Sequence, residues 1–253
     1  MSAIYDWIGN EPYLAAALAG MAVFFVLGWW REPRIKARIR AGGENVRLPV
    51  YNAIMLHLWG LTGLVLVLWL ASGRSLAELG LQAGQGGWQF WLAWGIAAAG
   101  VAYLIYSLVS ASLSRKARSD LRRQLADSGD LDMIRPESDA EYKRFNWVSI
   151  TAGVTEEILF RGFLIAIFAL FLPLWVAAGA ALALFVLAHS YQGPTGMLRI
   201  LPISLILTLT YVLSGSLWPG IILHAFVDLA GGGLFQITAK FEADDRAAEA
   251  AQA

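Results

Sequence analysis

The chain has 253 residues, of which 58% are hydrophobic and 15% charged, with 11 Trp and no Cys. Such a profile belongs to a polytopic protein whose solvent is the bilayer, and the absence of cysteine excludes disulfides, thiolate nucleophiles and Cys-ligated metals. A formal net charge of +0 gives no global bias toward nucleic acid or another strongly charged partner, so the charges that matter are local.

The opening segment, MSAIYDWIGNEP, has no basic stretch ahead of the first apolar run, so no cleaved secretory signal is expected. Runs near the ~20 residues that cross ~30 Å of hydrocarbon as a helix fall at 12–30, 50–71, 88–113, 147–171, 174–189, 198–213 and 217–236. The expected fold class is therefore all-α, a polytopic transmembrane helical bundle of about seven spans, with six to eight as the range because the fifth and sixth runs are short. Residues 1–113 read as accessory transmembrane helices, 114–146 as a partly helical linker, 147–237 as the working core and 238–253 as a tail.

The loop expected after the first run holds Arg31, Arg34, Lys36, Arg38, Arg40 and Arg47. Arg115, Lys116, Arg118, Arg122, Arg123, Arg135, Lys143 and Arg144 follow the third, whereas only Arg74 follows the second. The asymmetry predicts cytoplasmic placement of both rich segments in a cell inner membrane, with the amino terminus outside and the carboxyl tail inside. Trp7, Trp29, Trp30, Trp88, Trp91, Trp147 and Trp218, near span ends, read as interface anchors. His57 has no ionisable neighbour in register and reads as structural.

The fourth run poses the functional question, since TAGVTEEILFRGF puts three ionisable groups into hydrocarbon. Glu157 and Arg161 stand four apart with the acid first, the favourable order for an ion pair on one helix face. They read as a register-fixing pair. Glu156, five residues from Arg161 and rotated off that face, is left to find another role. The fifth run ends in FVLAHS, giving His189, and the seventh carries His224 and Asp228 four apart on one face. Each histidine also has a structural reading, His189 as a cap at its span end and His224 as a hydrogen-bond partner of Asp228. Depths of ~14 Å for Glu156 and ~16 Å for Asp228, counted from opposite ends of their spans, bring both near the midplane. Such groups require a polar chamber inside the bundle, and the position of His189 opens that chamber toward the cytoplasm.

Glu-Glu-x3-Arg at 156–161, Phe-x3-His at 185–189 and His-x3-Asp at 224–228, in this order on successive apolar runs, resemble the CAAX prenyl protease and bacteriocin-processing (Abi) family of intramembrane endopeptidases. The resemblance covers about 147–235, and SLAELGL at 75–81 is similar to a segment found upstream in that family. It implies hydrolysis of a peptide bond in a membrane-embedded or lipid-linked substrate. Glu156 would be the general base toward water, His189 would help hold that water, and His224 with Asp228 would stabilise the oxyanion, while Glu157 and Arg161 support the base. Several family members carry Asn where this chain has Asp228, so Asp228 is protonated, orients His224, or binds a metal. Glu156, His189 and His224 also form a possible zinc set, which leaves open whether a divalent metal is a cofactor. Two other classes compete: a non-catalytic membrane scaffold or bacteriocin-immunity protein, and a proton-coupled transporter, which would string its ionisable groups along a path instead of gathering them. Membrane lipids are the other partners implied. No nucleic acid is expected, and no oligomeric state is readable.

Overall fold

Prolines at helix starts and glycines at turns punctuate a computed structural model that describes residues 7–84, 86–126, 134–242 and 245, in which every regular element is a helix. Helix α1 is Pro12–Arg40, α2 Leu48–Ala71, α3 Gly87–Leu113, α4 Arg115–Ala126 and α5 Asp139–Glu156. A π-helical stretch, Glu157–Leu164, continues α5 directly into α6, Ile165–Ala169. Then come α7 Leu174–Ala188, a 3-10 turn Ser190–Gln192, α8 Gly193–Ser214 and α9 Trp218–Lys240. Proline within the first turn opens α1, α2, α8 and α9, where its missing N–H and fixed φ cost nothing. Gly215 ends α8 in the left-handed conformation at φ 63°, its N–H capping the Tyr211 carbonyl. Ser138 caps α5 by accepting from the Glu141 N–H at 3.2 Å.

The all-α bundle is as expected, and each of the seven apolar runs lies in a helix. Five helical segments, α1, α2, α3, Ser190–Ser214 and α9, are long and apolar enough to cross a membrane, so the protein is multi-pass. Helix α7, at 15 residues, is the short apolar one. One boundary differs from expectation. Hydropathy ends the first run at residue 30 and puts the basic residues after it in a loop, yet α1 continues to Arg40 through Pro33. Residues 34–40 are mostly Arg, Lys and Ala, strong helix formers, and Lys36 pairs with Glu32 at 2.8 Å one turn away. Among the tryptophans, six of the seven named anchors are exposed, but Trp7 packs edge-on against Phe171 at 5.5 Å.

The largest core joins α1 and α2 to the rod of α5, the π stretch and α6, with Leu14, Met21, Val65 and Trp69 meeting Leu159, Phe160 and Phe163. Helix α3 closes the other side, where Ala97 meets Leu207 of α8 and Leu223 of α9. The decisive close approach is between α5 and α9. A Cβ on Gly153 would lie 2.7 Å from the Ala225 nitrogen, so only glycine lets the two backbones touch there. Glu156 stands one turn beyond Gly153, and His224 adjoins Ala225. At the polar end, Asp245 accepts from Arg118 at 2.7 Å and Arg122 at 2.9 Å, tying the chain after α9 to α4. Those bonds, Arg118 first, hold the Asp245 carboxyl down at about 2.

Candidate active site

Three helices bring the candidate residues to one place. Glu156 ends α5, His189 follows α7 as its C-cap, and His224 and Asp228 lie on one face of α9. Glu156 Oε2 is 3.9 Å from His189 Nε2 and 3.8 Å from His224 Nε2. His224 Nε2 is in turn 3.9 Å from Asp228 Oδ2. These separations are too long for direct hydrogen bonds but suit a bridging water. All four side chains line one cavity of about 170 Å³, together with Ser204 and Tyr191. The groups gather around a point and do not follow a path.

The ring orientations are fixed from behind. His189 Nδ1 donates to the Phe185 carbonyl at 2.9 Å, and His224 Nδ1 donates to Glu157 Oε1 at 2.8 Å. That Glu157 oxygen also accepts from Arg161 Nη1 at 2.9 Å, which marks it as the acceptor and places the His224 proton on Nδ1. Both histidines therefore turn Nε2 toward the cavity. Arg161 completes its contacts with the Ser204 carbonyl at 3.3 Å and stacks over Phe185 at 4.2 Å. The phenylalanine of the Phe-x3-His motif thus sets its histidine with the backbone and covers the arginine with its ring.

Glu157 and Arg161 are 0% and 1% exposed and form the expected pair, i to i+4, even across the π stretch. The wider i to i+5 winding, which recurs at functional sites, begins immediately after Glu156. Glu156 has no such partner. Its Oε2 is buried without a hydrogen-bond partner, as is the Ser204 hydroxyl on the facing wall. An orphaned buried oxygen of this kind costs about 1–3 kcal/mol or more, so its retention calls for a reason.

Two features escaped the sequence. The Glu157–His224 bond gives Glu157 the orienting role that the spacing offered to Asp228, and it joins rods 67 positions apart, which no local pattern encodes. Ser204 was also missed, although Ser204 and Thr208, one turn apart and both buried in an apolar helix, were the available signal. A tetrahedral zinc with donors at ~2.1 Å holds them ~3.4 Å apart, closer than Glu156 stands to either histidine. Among the described residues, no group of three His, Asp and Glu side chains is placed to hold a metal ion. The donors as set do not fit one.

Residues 142–230 match the family model described as Rce1-like, type II CAAX prenyl endopeptidase Rce1-like. This is the family that the three motifs resemble, and the matched stretch contains all of them. No curated protein and no solved structure matches the chain.

Proposed function

We propose, from the match of residues 142–230 to that endopeptidase family model, that the protein is an intramembrane endopeptidase that hydrolyses a peptide bond with water activated by Glu156. The observation that carries this is the convergence of the unpartnered Glu156 Oε2 with two imidazole Nε2 atoms at 3.8 and 3.9 Å. A water bridging these atoms gives its proton to Glu156 as its oxygen attacks the scissile carbonyl. His189 Nε2, steadied through Phe185, holds that water. His224 already donates from Nδ1, so donating from Nε2 to the oxyanion as well makes it the imidazolium, a charge opposite to the one developing on substrate. Asp228 flanks that nitrogen, and Glu157 with Arg161 holds the ring. When the tetrahedral species collapses, Glu156 returns its proton to the leaving amine, giving a carboxylate and an amine. All of this is metal-free chemistry.

The substrate class is a membrane-embedded or lipidated peptide, since the cavity lies inside an apolar bundle. Orientation in an inner membrane follows from charge. Arg47 bonds Glu137 and Glu141 at the start of α5, while Arg118 and Arg122 bond Asp245 after α9. The basic residues of both segments, with Asp245, support a cytoplasmic placement of these helix ends, with the amino terminus outside and the cavity opening inward.

The test is a library of membrane-anchored peptides, with and without a lipid tail, incubated with the full chain in proteoliposomes and read by mass spectrometry. The expected result is a defined cleavage site, a rate unchanged by chelator, and a loss of about a hundredfold or more in His189→Ala and His224→Ala. No cleavage of any peptide would overturn the enzyme reading, and activity abolished by chelator and restored by zinc would overturn the metal-free one.

A further inference from the structure

A second concave surface lies on the opposite, outward side of the α2–α5 contact. It is a groove of about 640 Å³ with an apolar floor, and Lys143 and Arg144 stand at one end. Leu48, Met55 and Trp59 of α2 form one wall and Trp147 of α5 the other. Trp59 and Trp147 are 48% and 64% exposed, so this face meets the surrounding lipid. The Trp59 indole N–H donates to Thr151 Oγ1 at 3.3 Å across the deep end, tying the two walls together. The catalytic cavity takes Val148, Ala152 and Glu156 from the adjoining face of α5, so the groove is a separate site.

The chemistry changes in one direction along it. From Lys143 to Thr151 is about 12 Å of helix rise, with two cations at the top and only apolar or aromatic wall below until Thr151 is reached. That distance matches the passage from headgroups into acyl chains. Both cations are exposed, and among the described residues neither makes an ion pair. Of the acids at the start of α5, Glu137 and Glu141 are paired with Arg47 at 2.8 and 3.5 Å, and the exposed Asp139 makes no ion pair with either cation among the described residues. A free anion would use only the top of such a groove, and a bare hydrocarbon only the bottom. An anionic glycerophospholipid uses both, whereas a phosphocholine head would bring its own cation against Lys143 and Arg144.

We propose that the α2–α5 groove is a binding site for one anionic phospholipid, its phosphate held by Lys143 and Arg144 and an acyl chain lying over Met55, Trp59 and Trp147. Seated there, the lipid braces the contact between α2 and the rod that carries Glu156, and fixes the depth of that rod in the membrane. The proposal stands independently of the catalytic reading.

The full-length protein in detergent, titrated with phosphatidylglycerol, phosphatidylcholine and inorganic phosphate and followed by native mass spectrometry, tests it. Phosphatidylglycerol should form a one-to-one adduct at about tenfold lower concentration than phosphatidylcholine. The Lys143→Gln/Arg144→Gln double variant should bring the two lipids together, with the helical circular dichroism unchanged because both side chains are exposed. Met55→Trp, which fills the floor and leaves both cations, should weaken both lipids. Equal binding of the two lipids by wild type, or a double variant that still prefers phosphatidylglycerol tenfold, would overturn the proposal. So would inorganic phosphate displacing the lipid, which would make this an anion site alone.

Discussion

Helices α1–α3 and helices α5–α9 share one apolar packing but fill their interiors differently. Helices α1 and α2 bury Leu14, Ala17, Met21, Leu61, Val65 and Trp69 among others, and the hydroxyls they bury are those of Thr62 and of Tyr51, which donates to the Ile134 carbonyl at 2.7 Å. Ionic contacts there sit at the ends, Glu11 with Arg74 and Glu32 with Lys36. In the second region Glu157, Arg161 and His224 are almost wholly enclosed, and Glu156 points an unpartnered oxygen inward. The α1–α2 contact buries no ion pair in its interior, so apolar packing suffices to join those two helices and the enclosed ions of the second region call for a different reason. They divide into a bonded set that holds geometry and a set left open to the cavity.

The difference predicts a graded series of responses. Arg161→Leu leaves the buried Glu157 charged with only the His224 N–H for a partner, and should cost about 3–5 kcal/mol in detergent unfolding. Gly153→Val should cost about 1–3 kcal/mol and also reduce peptide cleavage, because the added carbons press on the Ala225 backbone and move His224 from Glu156. Its counterpart in the first region, Gly63→Ala, meets nothing within 4 Å and should leave both properties unchanged.

At the polar end, the Asp245 contact with α4 responds to pH. Its carboxyl is held at about 2, below the ordinary ~3.9. The contact is therefore at full strength above the ordinary value and weakens as pH falls from ~4 toward ~2. Energy transfer between dyes on α4 and on the chain after α9 should report that loss, and Asp245→Asn should lose contact strength at neutral pH. A small effect belongs to Glu11→Gln, whose partly exposed pair with Arg74 should be worth less than about 1 kcal/mol in the detergent unfolding measurement.

The same contrast governs what the sequence made legible. Run length and hydropathy marked the helices, because crossing hydrocarbon requires ~20 apolar residues whatever they pack against. The Glu157–Arg161 pair was readable because it is local, four positions along one rod. Convergence of Glu156, His189, His224 and Asp228 was expected from the three motifs and their depths, and these side chains do line one cavity. The extension of α1 to Arg40 was hidden because charge suggested a loop where helix propensity prevailed. The π winding after Glu156 has no sequence period of its own. The Glu157–His224 bond depends on the relative rotation of two distant rods, and that rotation is set by contacts such as Gly153 against Ala225.

In the proposed reaction Glu156 activates water while the Glu157–Arg161 pair behind it holds the frame. That role of Glu156 is tested most directly by comparing wild type and Glu156→Gln in the same bilayer, with cleavage rate and thermal unfolding measured on one preparation. The rate should fall by about a hundredfold or more with unfolding unchanged or shifted upward, since Glu156 Oε2 has no hydrogen-bond partner to lose. Cleavage by Glu156→Gln at the wild-type rate would contradict that role.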